Sequence, residues 1–373
     1  MEQQTGSFNQ VALSRIKKNP LGIVSLALIV VATIVTIFAY GISSDKVQNA
    51  NQQNVILAHK PMGFKQLILE IPLNNYSTKE SIRDFFLGKQ VDTEQIAINN
   101  YSLTNDTITY IPFLGEDLQG EPSFIPIKTW TDKGIPIDKV EKKFIREQTF
   151  WLGTDAYGRD FYSRLIIGTR ISFLIGFIAV FISLVVGIPI GAMGGYYRGK
   201  IDDFIMWLIN VVWSIPTLLL VIAITLALGK GFWQIFVAVG LTMWVEVARV
   251  VRGQFISYRE REFVEAAHAL GFSDFRIIFK EILPNILAPV IVISAANFAA
   301  AILIESGLSF LGIGAQPPTP SWGNLIKENY THIIIGDAHL ALLPGIAIMI
   351  LVLAFNIFGN VLRDAFDFKQ KSN

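Results

Sequence analysis

The chain has 373 residues, 52% of them hydrophobic and 16% charged, with a mean hydropathy of +0.47. A soluble domain carries about 25% charged residues, so this chain lacks the charge to cover a water-facing surface of its size. Its formal net charge of +1 supplies no global field to draw in nucleic acid, and the absence of cysteine excludes disulfides, thiol nucleophiles and Cys-ligated metals.

A bilayer span needs roughly 20 mainly apolar residues. Six such runs occur, at about 20–42, 168–194, 204–228, 231–250, 286–311 and 340–362. The first follows Arg15, Lys17 and Lys18, as the h-region of a signal peptide would. It exceeds the roughly 7–15 residues of an h-region, however, and no convincing small-x-small cleavage site follows. An uncleaved anchor is the expectation. Lys and Arg in short flanks set the orientation. Arg15, Lys17 and Lys18 place the N-terminus inside, and six spans return Arg363, Lys369 and Lys371 to the same side. The loops carrying Arg198 and Lys200, and Arg249 through Lys280, fall inside too. Residues 312–339, with Lys327 alone, fall outside.

Residues 43–150 form a unit between the first two spans, on the outer side. Val55-Ile56-Leu57, Leu67 to Ile71 and Thr107 to Ile111 read as short strands, and 81–87 as a short helix ended by Gly88. A small folded α+β insert is expected here rather than a disordered loop. Asn75, Asn100 and Asn105 match the glycosylation sequon, which in a bacterial chain is chance in an Asn-rich segment.

The stretch 151–172 gathers Asp155, Asp160, Arg159, Arg164 and Arg170 between Gly153 and Gly158 and just beyond. The glycines permit tight turns and the acids cap helices. The arginines can pair with those acids, or Arg164 and Arg170 can snorkel to headgroups. The composition also suits a carboxylate or metal site; a structural re-entry into the membrane is the simpler reading. Within the spans, Glu246 and Glu305 are functional candidates by default. Glu246 is expected to pair with Arg249. Glu305 serves either gating or helix packing, and Asn297 and Ser294 either line a polar pathway or bond between helices. Pro189 and Pro216 are expected to kink spans two and three, and Gly187-x-x-x-Gly191 allows close helix approach.

Residues 257–284 read as a helix–Gly–helix element. Ser257 and Glu260 have capping-box spacing, and Phe263, Val264, Ala266, Ala267 and Leu270 follow on one broad face. Gly271 suits a left-handed C′ position and Ser273 the cap of a second helix. In that helix Phe275, Ile278, Phe279 and Ile282 form an apolar stripe opposite Asp274, Arg276, Lys280 and Glu281. Pro284 ends it. A helix lying on headgroups would carry excess basic charge; the balance of acids and bases here favours a protein partner.

This segment resembles the EAA loop of the permease subunits of bacterial ABC importers: Glu265, Ala266, Ala267, Gly271, Leu283 and Pro284 match, while Glu281 stands at the pattern's Ile position. Leu152-Gly153-Thr154-Asp155-x-x-Gly158-Arg159-Asp160 resembles the signature of C-type permeases in dipeptide, oligopeptide and nickel importers. Glu305 to Gly314, with Gln316-Pro317-Pro318 and Pro320 to Gly323, is similar to the outer end of the fifth span in that family. The resemblance covers the first span and about 151–363, not the insert.

The resemblance implies an all-α polytopic membrane protein with six transmembrane helices, the type I ABC importer permease fold. Its regions would be 1–42 (N-terminus and first span), insert 43–150, a five-helix core 151–363 with coupling loop 257–284, and a cytoplasmic tail 364–373. It implies uptake of oligopeptides or dipeptides, with both termini cytoplasmic in the bacterial plasma membrane. The partners would be a homologous second permease in a heterodimer, two ABC ATPase subunits and an extracytoplasmic peptide-binding protein. The ATPase-coupling residues would be Glu265, Ala266, Ala267, Gly271, Ser273, Phe275, Ile278, Phe279, Leu283 and Pro284, with Asn297 and Glu305 on the substrate pathway. No P-loop GxxxxGK[ST] and no HExxH occur, Gly307 to Leu311 misses GxSxG, and none of the four His has helical ligand spacing. The chain is therefore expected to be no enzyme and to hold no cofactor or metal of its own, ATP and Mg being bound by the ATPase partners. A nickel or other small-solute importer of the same family is the first alternative; a membrane sensor or a channel comes from a different class, though no output domain or selectivity filter is visible.

Overall fold

A computed structural model describes residues 17–366 apart from 78–80, 105, 116–117, 119, 230 and 335. Arg15, Lys369, Lys371 and Asn105 lie outside the described residues. Helix α1 (Pro20–Ile42) leads into β1 (Phe64–Pro72), α2 (Ile82–Leu87), β2 (Thr93–Leu103), β3 (Thr107–Pro112), β4 (Ser123–Pro126), α3 (Ile137–Phe144) and β5 (Ile145–Phe150). Then follow α4 (Phe161–Tyr197), α5 (Gly199–Trp213), α6 (Thr217–Leu228), α7 (Phe232–Arg259), α8 (Glu262–Ala269), α9 (Leu287–Phe310), α10 (Trp322–Asn329) and α11 (His339–Phe366). The chain divides into two compact units, one drawn from Met1–Thr33, Ser172–Gln316 and Gly345–Asn373, the other from Ile34–Ile171 and Pro317–Pro344.

Among the described residues, five helical stretches are long and apolar enough to cross a membrane, and the bent pair α5–α6 makes a sixth. The 23 residues of α1 rise about 35 Å, more than the ~30 Å hydrocarbon core. Span two starts at Phe161, seven positions before the apolar run at 168, because Asp160 caps the helix by accepting from the Ser163 N–H at 3.3 Å. The helix continues through Pro189 unbroken. At Pro216 the third span does break, α5 and α6 meeting at 89°; a proline disfavours helix in the residue before it. The predicted helix start at Ser257 is not seen. Val251 and Phe255, both fully buried, keep α7 helical to Arg259, and Arg261 is the N-cap of α8.

In the first unit, α4 and α7 approach through a glycine stripe. A Cβ on Gly187 would lie 2.7 Å from the Trp244 carbonyl and one on Gly195 2.6 Å from that of Arg252, with Gly191 against Ala248 between them. Only residues without side chains allow backbones so close. Asp202 of α5 clamps Arg252 of α7 through both carboxylate oxygens.

In the second unit the five strands form an antiparallel sheet in the order β4-β3-β2-β1-β5. Alternation decides its two faces. Leu69, Ile98 and Ile108 point to one core with Trp130, Val140 and Phe144 from the segments that cover it. Ile68, Ala97 and Phe150 point to the other with Leu57 and Phe113. Helix α2 carries the capping box Ser81–Asp84 and ends at Gly88, φ 81°. Val55–Leu57 is a 3-10 turn, not a strand: Thr154 donates to the Leu57 carbonyl and the Tyr157 carbonyl accepts from the Asn54 N–H, so contacts with the 151–160 segment override β-propensity.

Candidate functional site

Helix α8 opens with Glu262 and Glu265 in its first turn, where carboxylates complement the helix dipole. It closes in a Schellman turn. The Phe272 N–H donates to the Ala267 carbonyl at 3.1 Å and the Gly271 N–H to that of His268 at 2.9 Å. Gly271 sits at φ 76°, a left-handed backbone that glycine enters freely. Ser273 occupies the next N-cap position, but its side chain makes no capping hydrogen bond. One α-turn, Asp274–Arg276, passes into a π-helical segment, Ile277–Ile282, and a 3-10 turn, Leu283–Ile286 containing Pro284, before α9.

The two predicted apolar faces are each divided. Val264 and Ala267 are buried, as are Ile277, Ile278 and Ile282, in a cluster with Ala192, Val251 and Phe255. Glu265, Ala266, Gly271, Ser273 and Pro284 are not part of that buried cluster, and Leu283 packs half-buried against it. Leu270 is 73% and Phe275 72% exposed, and Phe263 and Phe279 stand out at 40% and 42%. The rings of Phe275 and Phe279 lie 4.5 Å apart, tilted at 40°. The split runs through the π segment, in which Ile277, Ile278 and Ile282 face the core while Phe279 stands outward beside Phe275 of the preceding α-turn.

Tyr196, near the end of α4, fastens this segment from below. Its hydroxyl donates to Asp274 Oδ1 at 2.7 Å and lies 3.3 Å from His268 Nε2, with the rings stacked. Arg198 pairs with Glu260 at 2.6 Å, and the Arg276 guanidinium lies 3.7 Å above Phe272. None of these contacts is visible in the sequence. The one hint is that Tyr196 and Arg198 sit beside a short loop facing charges of both signs.

Of the membrane candidates, Glu305 is fully buried and accepts hydrogen bonds from Ser172 at 3.2 Å and Ser309 at 2.7 Å. Asn297 is 1% exposed, and both of its amide atoms lack a hydrogen-bond partner among the described residues. Ser294 returns its hydroxyl to the Val290 carbonyl at 2.7 Å. Glu246 is exposed and unpaired among the described residues; its expected partner Arg249 lies 3.5 Å over the Trp213 ring instead, where the cation meets a π-face. A cavity of about 840 Å³ opens between α7, α9 and α11, lined by Gln254, Asn285, Asn356, Asn360, Arg261 and Arg363 among others. Neither Asn297 nor Glu305 lines it.

The signature segment folds in the second unit. Gly153 and Gly158 have φ of 75° and 68°, and a Cβ on either would strike the backbone of 54–61. Asp155 accepts from Arg159 Nε at 2.7 Å, and Arg159 and the fully buried Arg164 both reach Glu328, at 2.7 and 3.1 Å. Arg170 does not join this network; it donates to the Phe86 carbonyl and lies over Tyr40. Glu328 was the unforeseen member. Its signal in the sequence is that it is the lone carboxylate between Gly307 and Gly336.

Residues 187–372 match the profile of the binding-protein-dependent transport system inner membrane component, and residues 7–61 that of the N-terminal TM domain of oligopeptide transport permease C. The glutathione transport system permease protein GsiD of Pectobacterium atrosepticum is 39% identical over 222 residues, 60% of this chain and 73% of the relative. The chain belongs to this family of transport-system membrane components. The dipeptide transport system permease protein DppC of Alkalihalophilus pseudofirmus is 42% identical over the same shares. Among solved structures, an inward-facing MetNI methionine ABC transporter aligns with TM-score 0.46 and 19% identity, covering 54% of this chain and 95% of that one. By its family membership the protein is the permease subunit of an ABC importer, in which ATP is hydrolysed by partner subunits. The exposed set at 263–284 lies wholly inside the matched 187–372 region.

Proposed function

We propose that residues 258–284 of this permease form the cytoplasmic surface on which an ABC ATPase docks, and that the solute is a short peptide. The observation that carries docking is the divided loop. Its inner face is locked into the core while Leu270, Phe275 and Phe279 project from a segment of balanced charge; exposed apolar side chains gathered on one surface mark an interaction site. Two ATPases, with ATP and Mg bound to them, would serve this chain and a homologous second permease. An extracytoplasmic peptide-binding protein would deliver the solute. Closure of the ATPases would draw the two coupling loops together and open the pathway outward, a shift between two packings. The setting is the bacterial plasma membrane with both termini cytoplasmic.

The relatives' names, glutathione and dipeptide systems, support a peptide substrate. So does the cavity beside the loop. Its lining contains amides and two arginines and no Asp, Glu or His, which suits peptide carbonyls and a carboxylate and would repel a nickel ion. Asn297 is the better pathway candidate, because Glu305 is already engaged by two serines.

The cysteine-free chain makes the test direct. Phe275→Cys in the assembled transporter should cross-link to the ATPase subunit and be protected from membrane-impermeant thiol reagents added outside. Labelling from outside would overturn the orientation. A Phe275→Cys variant that labels only from inside yet never cross-links would overturn the docking role.

A further inference from the structure

The chain leaving α1 at Asp45 meets the start of α4 and strand β5 around a small, partly open chamber of about 10 Å³, room for one water-sized particle. Asp45, Asp160, Gln52 and Gln148 border it. Asp160 is 3% exposed, and among the described residues its Oδ1 has no hydrogen-bond partner; nor do Gln52 Oε1 and Gln148 Oε1. The Gln52 amide is oriented by its Nε2, which donates to the Thr93 carbonyl at 3.0 Å, so its oxygen is the free atom.

The charges around this chamber do not balance. Arg159 and Arg164 are taken by Asp155 and Glu328, and Arg146, which also borders the chamber, is held by Glu70 at 2.8 Å. Asp45 and Asp160 have no ion-pair partner among the described residues. They are linked through Ser163, whose hydroxyl accepts from the Asp45 N–H at 2.8 Å and donates to Asp160 Oδ2 at 2.5 Å. Among the described residues the Asp45 carboxylate accepts only from the Val47 and Gln52 N–H groups, at 2.8 and 3.3 Å. Two adjacent buried carboxylates are costly without a counter-charge.

We propose that this chamber is a calcium site, with Asp45, Asp160, Gln52 and Gln148 supplying carboxylate and amide oxygens. Calcium takes all-oxygen sets that mix carboxylates with neutral carbonyls in flexible geometry. Magnesium keeps several of its waters, for which a single-particle chamber has no room. No three His, Cys, Asp or Glu gather into a ligand set among the described residues; here half of the ligands are amides. The ion would tie the insert's sheet to the entry of the second span.

The test uses the full-length protein in detergent, stripped with chelator and titrated with CaCl2 or MgCl2. One calcium per chain is expected by equilibrium dialysis, with a rise in Tm that MgCl2 does not reproduce. Gln148→Leu, which leaves both carboxylates in place, should weaken calcium binding about tenfold or more, the range seen when supporting groups of a metal site are removed, while the far-UV circular dichroism stays unchanged. No bound calcium and no calcium-dependent Tm shift at millimolar CaCl2 would overturn the proposal and leave a shared proton or water in the chamber. Calcium binding unaltered by both Gln148→Leu and Asp160→Asn would overturn it as well, placing the ion elsewhere.

Discussion

Replacing Gly271 by valine separates the loop's conformation from its contacts. A Cβ built on Gly271 meets nothing within 4 Å, so no collision penalises the substitution. The cost comes from the backbone alone. At φ 76° an L-residue pays about 1–2 kcal/mol, and a β-branched one sits at the upper end. That is small against the roughly 5–15 kcal/mol that holds a domain, so Gly271→Val should insert and fold. It suffices, however, to populate a different turn, in which the hydrogen bonds from Gly271 and Phe272 to the α8 carbonyls are lost and Leu270 and Phe275 leave their places.

At 1.36 kcal/mol per factor of ten, 1–2 kcal/mol is about a 5–30-fold loss of the docking-competent loop. ATP-dependent uptake in cells or proteoliposomes should fall by that factor at equal permease abundance. Gly271→Asn is the control, because asparagine tolerates left-handed φ; it should retain most uptake. Near-normal uptake by Gly271→Val, or equal loss in both variants, would refute the reasoning: the first would mean that the turn does not matter, the second that it is side-chain bulk at the interface which does.

Three further substitutions, one of them with a control, test other parts of the structure. Glu328→Gln leaves two buried guanidiniums, Arg159 and Arg164, short of a counter-charge. Breaking such a network costs about 3–5 kcal/mol, read as a large fall in Tm and easy proteolysis of the 43–171 region. Gly195→Leu sets a side chain against the Arg252 carbonyl and should abolish stable accumulation in the membrane, whereas Gly253→Ala, with nothing within 4 Å of its Cβ, should be neutral in an immunoblot comparison. Asn297→Leu removes a buried amide that has no partner among the described residues, a change that leaves stability level or improved. If the amide serves the pathway, uptake should drop several-fold while Tm holds; unchanged uptake removes Asn297 from the pathway.

The apolar runs made the membrane class legible, since about 20 residues without charge have few other destinations. They did not mark where helices end. Asp160 begins α4 through a cap and Phe255 extends α7 through burial, and both act by contacts that local hydropathy does not record. In the loop, the identity of Gly271 revealed its own conformation because few other residues take that φ. The direction of Phe279 was illegible, because a stripe at i, i+3, i+4 and i+7 assumes α-helical turns and the chain makes a π-turn over 277–282. Glu328 was out of reach for a different reason: its partners stand 164 and 169 residues away, and a single sequence does not pair them.

Those contacts bear on how force from a docked ATPase would enter the membrane. A loop hung on flexible ends would absorb a push at Phe275. Here Val264 and Ala267 of α8, Ile277, Ile278 and Ile282 of the π-turn, Val251 and Phe255 of α7 and Val290 of α9 share one cluster, and Tyr196 adds a hydrogen bond from α4 to Asp274. Packed interiors resist compression and transmit strain, so displacement of the loop is displacement of the ends of α4, α7 and α9 together. The glycine stripe between α4 and α7 and the Asp202–Arg252 clamp from α5 join those helices further into the membrane. The irregular piece is the π and 3-10 stretch 277–286, whose hydrogen bonds change register from i+5 to i+3 within about ten residues. Such stretches often mark a functional hinge or local strain, but this one is held inside the cluster by Ile277, Ile278, Ile282 and Ile286. The geometry therefore favours a lever in which α8 and the adjoining ends of α4, α7 and α9 move together.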